Sequence, residues 1–211
     1  MKVVEFPQGT DEWLAARCGI PTASCFADVM AKIKSGESAD RRNYRAKLVV
    51  ERLTGKPVQT FLNDAMKLGT EREPLARLAY EARTGNLVQE IGLCLHDELE
   101  CGASPDGLID ADGGLEIKCP GLAKHLEYLK LPSNTAPSEY VWQVQGCMAI
   151  TGRKWWDFVS FNPDFPEALQ LTIRRIQRDD VAIDKLFLDL AAFVQEVKDE
   201  TEFIRNLPMA A

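Results

Sequence analysis

The chain contains 211 residues, of which 45% are hydrophobic, and its 25 Lys and Arg against 32 Asp and Glu give a formal net charge of −7. This length and apolar content predict a single domain spanning residues 1–211 and exclude an intrinsically disordered chain. No apolar run is long enough to span a membrane, and the first residues lack the apolar stretch of a signal peptide, which predicts a cytoplasmic protein with no membrane contact. The six cysteines include no CxxC pair and are predicted to be free thiols.

Charge is unevenly distributed along the chain. Residues 32–56 hold eight basic and three acidic side chains, whereas residues 157–204 hold eleven acidic and five basic ones. Such an asymmetry predicts one surface for a polyanion and a second, acidic surface kept away from it. A solvated helix face in each region is the alternative interpretation.

Helices are predicted in the first part of the chain. A short helix ends before Gly19 and is capped by Thr10 or Asp11. Further helices are predicted over residues 25–31, 41–53 and 70–84. A polar loop that contains glycine, residues 34–38, separates the first two of these.

Strands dominate the next part of the pattern. They are predicted over residues 87–95, 108–117 (two short runs around a glycine turn), 155–161 and 171–176, with helices over 138–151 and after Asp179 and Asp180. This order of elements predicts an α/β fold in which a central mixed β-sheet is flanked by helices.

Two carboxylates and a lysine are predicted to converge in this sheet. The turn sequence Asp112-Gly113-Gly114 allows residues 107–110 and 115–118 to pair as a hairpin, which brings Asp106 close to Glu116. Strand alternation places Glu116 and Lys118 on one face. Such a cluster suits a divalent cation such as Mg²⁺ and metal-assisted phosphodiester hydrolysis. Taken singly, Pro-Asp-Gly is an ordinary turn, and alternating Glu and Lys suit a solvated strand face.

The order of these residues resembles a known nuclease signature. Pro105-Asp106, followed by Glu116-Ile117-Lys118, is similar to the PD-(D/E)xK motif. Further similarity covers residues 9–163, through Ser-Pro-Asp-Gly-Leu, Gly-Leu-Glu-Ile-Lys-Cys-Pro, Gln143-Val144-Gln145, Trp13-x-x-x-Arg17 with Gly19-Ile20-x-Thr22-Ala23-Ser24, and Gly69-x-x-x-Glu73. Together these motifs resemble the phage lambda exonuclease family of phage recombination systems.

The resemblance implies a restriction-endonuclease-like core and a specific activity. Members digest one strand of linear double-stranded DNA from 5′-phosphorylated ends in the 5′ to 3′ direction, using Mg²⁺, for which Mn²⁺ can substitute. The resulting 3′ overhangs serve homologous recombination by strand annealing. The resemblance also implies a homotrimer, ring-shaped around DNA, and a single-strand annealing protein as partner.

The same resemblance assigns roles around the metal. Asp106, Glu116 and the backbone carbonyl of Ile117 would be metal ligands, and Lys118 would position or activate the attacking water. Glu73 would occupy a second metal position or hold its water shell. The alternative for Glu73 is a capping box with Thr70, which Pro74 makes imperfect.

A second set of matched residues concerns DNA. The resemblance implies that Arg17, Ser24, Ser104 and Gln143 hold the terminal 5′-phosphate, that Lys34 contacts the DNA backbone, and that Met66 helps to split the strands. An arginine fork with hydroxyl and amide donors suits a phosphate. From the residues alone, Arg17 and Gln143 would be surface residues and Ser24 a helix cap. His96 and His125 are predicted to be structural.

Two other functions stay open at this point. One is a sequence-specific or structure-specific endonuclease with the same core. The other is a non-catalytic DNA-end-binding protein, against which the complete set of Asp106, Glu116 and Lys118 argues.

Overall fold

A computed structural model describes residues 1–58 and 64–208 of the chain, apart from the side chains of residues 65 and 66. The strands are β1 (Lys2–Val4), β2 (Leu93–Leu95), β3 (Gly102–Ala103), β4 (Gly107–Ile109), β5 (Gly113–Lys118), β6 (Trp155–Phe161) and β7 (Leu171–Gln177). The helices are α1 (Asp11–Arg17), α2 (Phe26–Met30), α3 (Ala39–Thr54), α4 (Asp64–Thr84), α5 (Leu122–Leu129), α6 (Val141–Thr151) and α7 (Asp180–Arg205).

The main sheet has the order β4-β5-β6-β7. Its β5 and β6 run parallel, while the outer pairs are antiparallel, so the sheet is mixed. A second, antiparallel sheet has the order β1-β2-β3. The arrangement confirms the predicted α/β fold with a mixed sheet and helices on its faces.

Strand alternation in β5 separates two hydrophobic cores. Leu115 and Ile117 point to one face, where they pack with Ala76 and Tyr80 of α4. The opposite face carries Trp156 of β6 and belongs to the larger core, which includes residues of α2, α3, α6 and α7. Glu116 and Lys118 share that opposite face, because side chains alternate along a strand. The sheet therefore presents two charged residues next to an apolar interior.

The hairpin that carries the candidate site forms as predicted, but β4 is one residue shorter and β5 begins two residues earlier, so Gly113 and Gly114 lie in the strand and not in the turn. Gly107 pairs with Leu115 and Ile109 pairs with Gly113. Asp106 lies one residue before this register and therefore opposite Glu116. The turn includes Asp110, which has a φ of 46°.

Close packing of glycines against tryptophans fixes β5 on β6. A Cβ at Gly114 would lie 2.1 Å from Cζ3 of Trp156, a side chain that is fully buried. We expect Gly114→Ala to lower the free energy of unfolding by about 1–3 kcal/mol or more, because the indole cannot shift within a packed core. Denaturant unfolding measures this loss. Gly121→Ala is the matched control, since no atom of the described residues lies within 4 Å of a Cβ there.

Several predicted elements differ in extent. The strand predicted over 87–95 shrinks to β2, because Gly92 lies against the carbonyl oxygens of Val4 and Phe6 and Gln89 forms only an isolated bridge. The helix predicted from residue 70 begins at Asp64 in the structure and continues through Pro74. A capping box of Thr70 and Glu73 is therefore wrong, because both residues lie inside α4. The short elements β1, β3 and α5 were not predicted.

The helices α3 and α7 have ends that follow their sequence signals. Ser38 caps α3 by accepting a hydrogen bond from the Arg41 amide, and Gly55 ends it in the left-handed conformation. Asp179 caps α7 by accepting from the Ala182 amide, as predicted. All six cysteines are free thiols, also as predicted. Within the described ranges, no helix has the length and apolar character needed to cross a membrane.

The predicted separation of basic and acidic surfaces is wrong. Helices α3 and α7 pack against each other, and their opposite charges pair. Arg41 binds Glu196 at 2.7 and 2.9 Å, and Arg45 binds Glu200 at 2.8 Å. Glu37, before α3, also pairs with both arginines. Much of the charge in residues 32–56 is thus neutralised within the chain and does not form a separate surface for a polyanion.

Candidate active site

Glu116 is a buried carboxylate held from two sides. Its side chain is 1% exposed, and its Oε1 accepts from Gln143 Nε2 and contacts Lys118 Nζ, each at 2.6 Å. Among the described residues, no donor lies within hydrogen-bond distance of its second oxygen, Oε2. A buried carboxylate oxygen without a donor is costly unless a cation or water satisfies it.

Asp106 lies on the other side of the site, where its carboxylate is hydrogen-bonded to the backbone of β5. Its Oδ2 accepts a hydrogen bond from the Ile117 amide at 2.6 Å. Both polar backbone groups of a strand residue point to the same edge, so the Ile117 carbonyl also lies on the Asp106 side. Residues 106, 116 and 117 therefore present carboxylate and carbonyl oxygens to one region.

The proline of the motif has a physical role at this edge. Gly107 and Leu115 are paired, so the next rung of the antiparallel ladder would join Pro105 to Ile117. Pro105 has no N–H and cannot donate to the Ile117 carbonyl there. The residue type thus leaves that carbonyl without its usual ladder donor and available to a cation.

Glu73 lies on α4 and faces the same cavity of about 1150 Å³ as Asp106. Arg77, one turn further along α4, binds it at 3.0 Å and also pairs with Glu90. Burial, together with the charge of Asp106, raises the pKa of Glu73 to about 7, although Arg77 opposes the shift. Burial and the charge of Glu116 likewise raise the pKa of Asp106 to about 7. These carboxylates repel one another, which a bound cation would relieve.

Lys118 remains a cation in this surrounding. Burial by itself lowers the pKa of Lys118, but the carboxylates of Glu116 and Asp106 outweigh burial and raise the pKa overall. Its Nζ also lies 5.0 Å from the centroid of the Tyr140 ring, within the range of a cation–π contact. A charged lysine suits a residue that orients water or offsets phosphate charge.

The donor set fits a hard divalent cation. Mg²⁺ prefers carboxylate and carbonyl oxygens, keeps several waters and uses few protein ligands. Within the described residues, no three His, Cys, Asp or Glu side chains cluster closely enough to form a ligand set alone. Asp106, Glu116 and the Ile117 carbonyl would therefore hold the ion together with water and substrate phosphate. His125 is structural, since its ring nitrogens bond Ser160 Oγ and the Leu169 carbonyl.

The structure brings together most of the residues matched to a phosphate site. Arg17 donates to Thr22 Oγ1 at 3.0 Å and to Ser24 Oγ at 3.4 Å. Its guanidinium lies over the Trp13 ring, 4.0 Å from the centroid, and Trp13 Nε1 donates to Ser104 Oγ. Ser104 is two residues from Asp106, so this group adjoins the carboxylates.

Arg17 has the features of an anion-binding arginine. Burial lowers the pKa of Arg17, because a charged guanidinium loses solvent there. Its hydrogen bonds go to hydroxyls, and no carboxylate within the described part of the chain forms an ion pair with it. An anionic ligand would supply the missing countercharge and two charge-assisted hydrogen bonds.

The remaining matched residues lie elsewhere or outside the description. Gln143 is directed to Glu116 and is buried, so it is neither a surface residue nor bonded to Arg17. Lys34 is exposed in the loop before α3. The Met66 side chain lies outside the described residues, and its predicted role stays a prediction.

Sequence reasoning missed two residues of this cavity. Arg77 could have been found from its i,i+4 spacing to Glu73. Gln8 gave no usable signal, because it lies 97 residues from its partner Pro105.

Comparisons with known proteins agree with this geometry. Residues 12–154 match the YqaJ-like viral recombinase domain family. The chain is 44% identical to LHK-Exo, an alkaline exonuclease from Laribacter hongkongensis, in two crystal structures, one of which is a complex with dAMP. The match covers 93% of this chain and 96% of that chain, with a TM-score of 0.86. A phage-related exonuclease from Haemophilus somnus 129PT, 17% identical over 90% of this chain and 96% of that one, shares the fold with a TM-score of 0.67.

Comparison with curated protein sequences found no match. The structural relatives are phage-type exonucleases of the restriction-endonuclease-like fold, which confirms the predicted core. With the family match covering more than half of the chain, this protein belongs to the YqaJ-like viral recombinases, a lambda-exonuclease-like family of nucleases that act in recombination.

Proposed function

We propose that the protein is a Mg²⁺-dependent exonuclease that digests one strand of linear duplex DNA from 5′-phosphorylated ends in the 5′ to 3′ direction. The 3′ overhangs that it leaves would serve homologous recombination by strand annealing. One observation carries the proposal: an arginine–hydroxyl group suited to a terminal phosphate adjoins a carboxylate–lysine cluster suited to hydrolysis. The short segment from Ser104 to Asp106 joins the two.

The arrangement accounts for cleavage near an end. Arg17, Ser24 and Ser104 would hold the terminal phosphate, so a phosphodiester further along the strand reaches Glu116 and Asp106. When bound, Mg²⁺ would offset charge on the scissile phosphate and make its bound water more acidic.

Side chains of the chain would align the remaining groups. Lys118, fixed between Glu116 and the Tyr140 ring, would orient the attacking water. Gln143 would keep the Glu116 carboxylate in one orientation by donating to its Oε1. Holding nucleophile and phosphate together in this way accelerates the reaction by removing the entropic cost of their encounter.

Digestion of matched DNA forms separates the proposal from its alternatives. Linear and covalently closed circular forms of one plasmid are incubated with the protein and Mg²⁺. We expect only the linear form to be lost, with mononucleotides released. Cleavage of the circle would indicate an endonuclease instead, and binding of ends without any digestion would indicate a non-catalytic protein.

We also propose that the protein forms a homotrimer and works with a single-strand annealing protein, as its family resemblance implies. Exposed leucines on α4, with Leu75 54% and Leu78 62% accessible, offer apolar surface for a contact between copies. Light scattering at micromolar concentration should give three times the chain mass. A monomer that digests DNA processively would contradict the trimer.

A further inference from the structure

The connection between β3 and β4 determines where Asp106 lies. It consists of Ser104, Pro105 and Asp106, and it is held by side chains. Trp13 donates to Ser104 Oγ at 3.1 Å, and the Ile117 amide donates to Asp106 Oδ2 at 2.6 Å. Gln8 supplies the third contact, since its Nε2 donates to the Pro105 carbonyl at 2.7 Å.

The contact of Gln8 replaces a rung of the β4–β5 ladder. Leu108 exchanges both backbone hydrogen bonds with Gln89, so Gly107 and Ile109 point toward β5. Two residues before Gly107, the Pro105 carbonyl would therefore be the regular acceptor for the Ile117 amide. In the structure, the side-chain amide of Gln8 donates to the Pro105 carbonyl instead, and the backbone amide of Ile117 donates to the Asp106 carboxylate.

We propose that Gln8 is a positioning residue for the metal site, which keeps the Pro105 carbonyl away from the Ile117 amide and so leaves that amide to Asp106. Gln8 can do this because an amide nitrogen has two N–H donors. The second goes to the Ile91 carbonyl at 3.1 Å, which ties the side chain to the segment before β2. The N-terminal segment is anchored in turn by pairing of β1 with β2.

Gln8 lines the cavity that contains Glu73 and Asp106, and its side-chain amide donates to two backbone carbonyls, those of Pro105 and Ile91. Its proposed effect on Asp106 is exerted through Pro105. Without it, the Pro105 carbonyl competes for the Ile117 amide, and Asp106 loses the donor that fixes its orientation. Residues that orient metal ligands commonly contribute ten- to hundredfold to metal affinity or activity.

The test uses Gln8→Met, which keeps the length of the side chain but has no donor, and Gln8→Glu, whose carboxylate cannot donate at neutral pH. Gln195→Met is the matched control, because Gln195 is an exposed glutamine on α7 whose side chain donates to Asp199, one turn away. Unfolding midpoints verify that all variants fold.

The first readout is the NMR resonance of the Ile117 amide proton without metal. We expect both Gln8 variants to shift it toward its position in Asp106→Asn, while the Val159 amide and Gln195→Met stay unchanged. An unshifted Ile117 resonance would overturn the inference. This readout does not depend on the proposed exonuclease activity.

The second readout is Mn²⁺ affinity by calorimetry, followed by kinetics on linear DNA. This part of the inference rests on the proposed metal site. We expect the Gln8 variants to bind Mn²⁺ with about a tenfold larger Kd and to show a lower kcat with an unchanged KM for DNA ends. Equal Mn²⁺ affinity in wild type and Gln8→Met would contradict a positioning role. Failure of the wild type to digest DNA would instead reject the proposed function, leaving the amide result to decide the role of Gln8.

Discussion

Asp106→Asn and Glu116→Gln will each abolish digestion of linear duplex DNA, with rates reduced about a thousandfold or more. Each substitution removes one carboxylate of the proposed cation site, and a bound metal supplies several kcal/mol of charge stabilisation in such reactions. Lys118→Ala will have a comparable effect, because it removes the cation that contacts Glu116 at 2.6 Å. Initial rates in Mg²⁺ measure the losses.

Stability measurements separate this effect from unfolding. Burial and mutual repulsion raise the pKa of Asp106, so its neutral replacement should not lower the unfolding midpoint. Asp110→Asn is the matched control, since Asp110 is exposed in the same hairpin and asparagine tolerates its φ of 46°. Near-normal turnover by any one of the three site variants would reject the assignment of these residues to catalysis.

Arg17→Ala will remove the preference for a 5′-phosphate over a 5′-hydroxyl end. Arginine and phosphate form two charge-assisted hydrogen bonds, and a loss of about 3 kcal/mol corresponds to roughly a hundredfold smaller advantage of phosphorylated ends. Arg17→Lys should restore only part of it, because an ammonium lacks the planar fork. Ser24→Ala should reduce the preference less, since its hydroxyl adds one neutral contact.

Paired substrates that differ only in the 5′ group give this measurement. Arg42→Ala serves as the control, because Arg42 is exposed on α3. A variant of Arg17 that slows both substrates equally would show a general DNA contact or a structural residue in place of a phosphate pocket.

The strand that carries Glu116 and Lys118 was predictable because its signals are local. Asp112-Gly113-Gly114 indicates a turn, which forms at residues 110–112 with both glycines in β5, and strand alternation alone places Glu116 and Lys118 on one face. The register then brings Asp106 opposite Glu116. The family resemblance added Arg17 and Ser24, which the residues alone did not distinguish from a surface charge and a helix cap.

Features that depend on distant contacts were not predictable in this way. The charge runs of α3 and α7 lie about 150 residues apart along the chain, and only the packing of these helices shows that Arg41 pairs with Glu196. The same holds for Gln143, whose buried contact with Glu116 depends on how α6 packs on the sheet. The start of α4 was misplaced for a different reason, since the helix extends back from the predicted residue 70 to Asp64 and tolerates Pro74 in its interior.

A single duplex with two distinguishable strands tests the proposed 5′ to 3′ digestion from a phosphorylated end. One strand carries a 5′-phosphate and the other a 5′-hydroxyl, and each bears a different fluorophore at its 3′ end. In Mg²⁺, the phosphorylated strand should shorten progressively from its 5′ end while its 3′ label stays on the shrinking fragment, and the other strand should remain intact. Early release of the 3′ label, or equal loss of both strands, would contradict 5′ to 3′ digestion directed by a terminal phosphate.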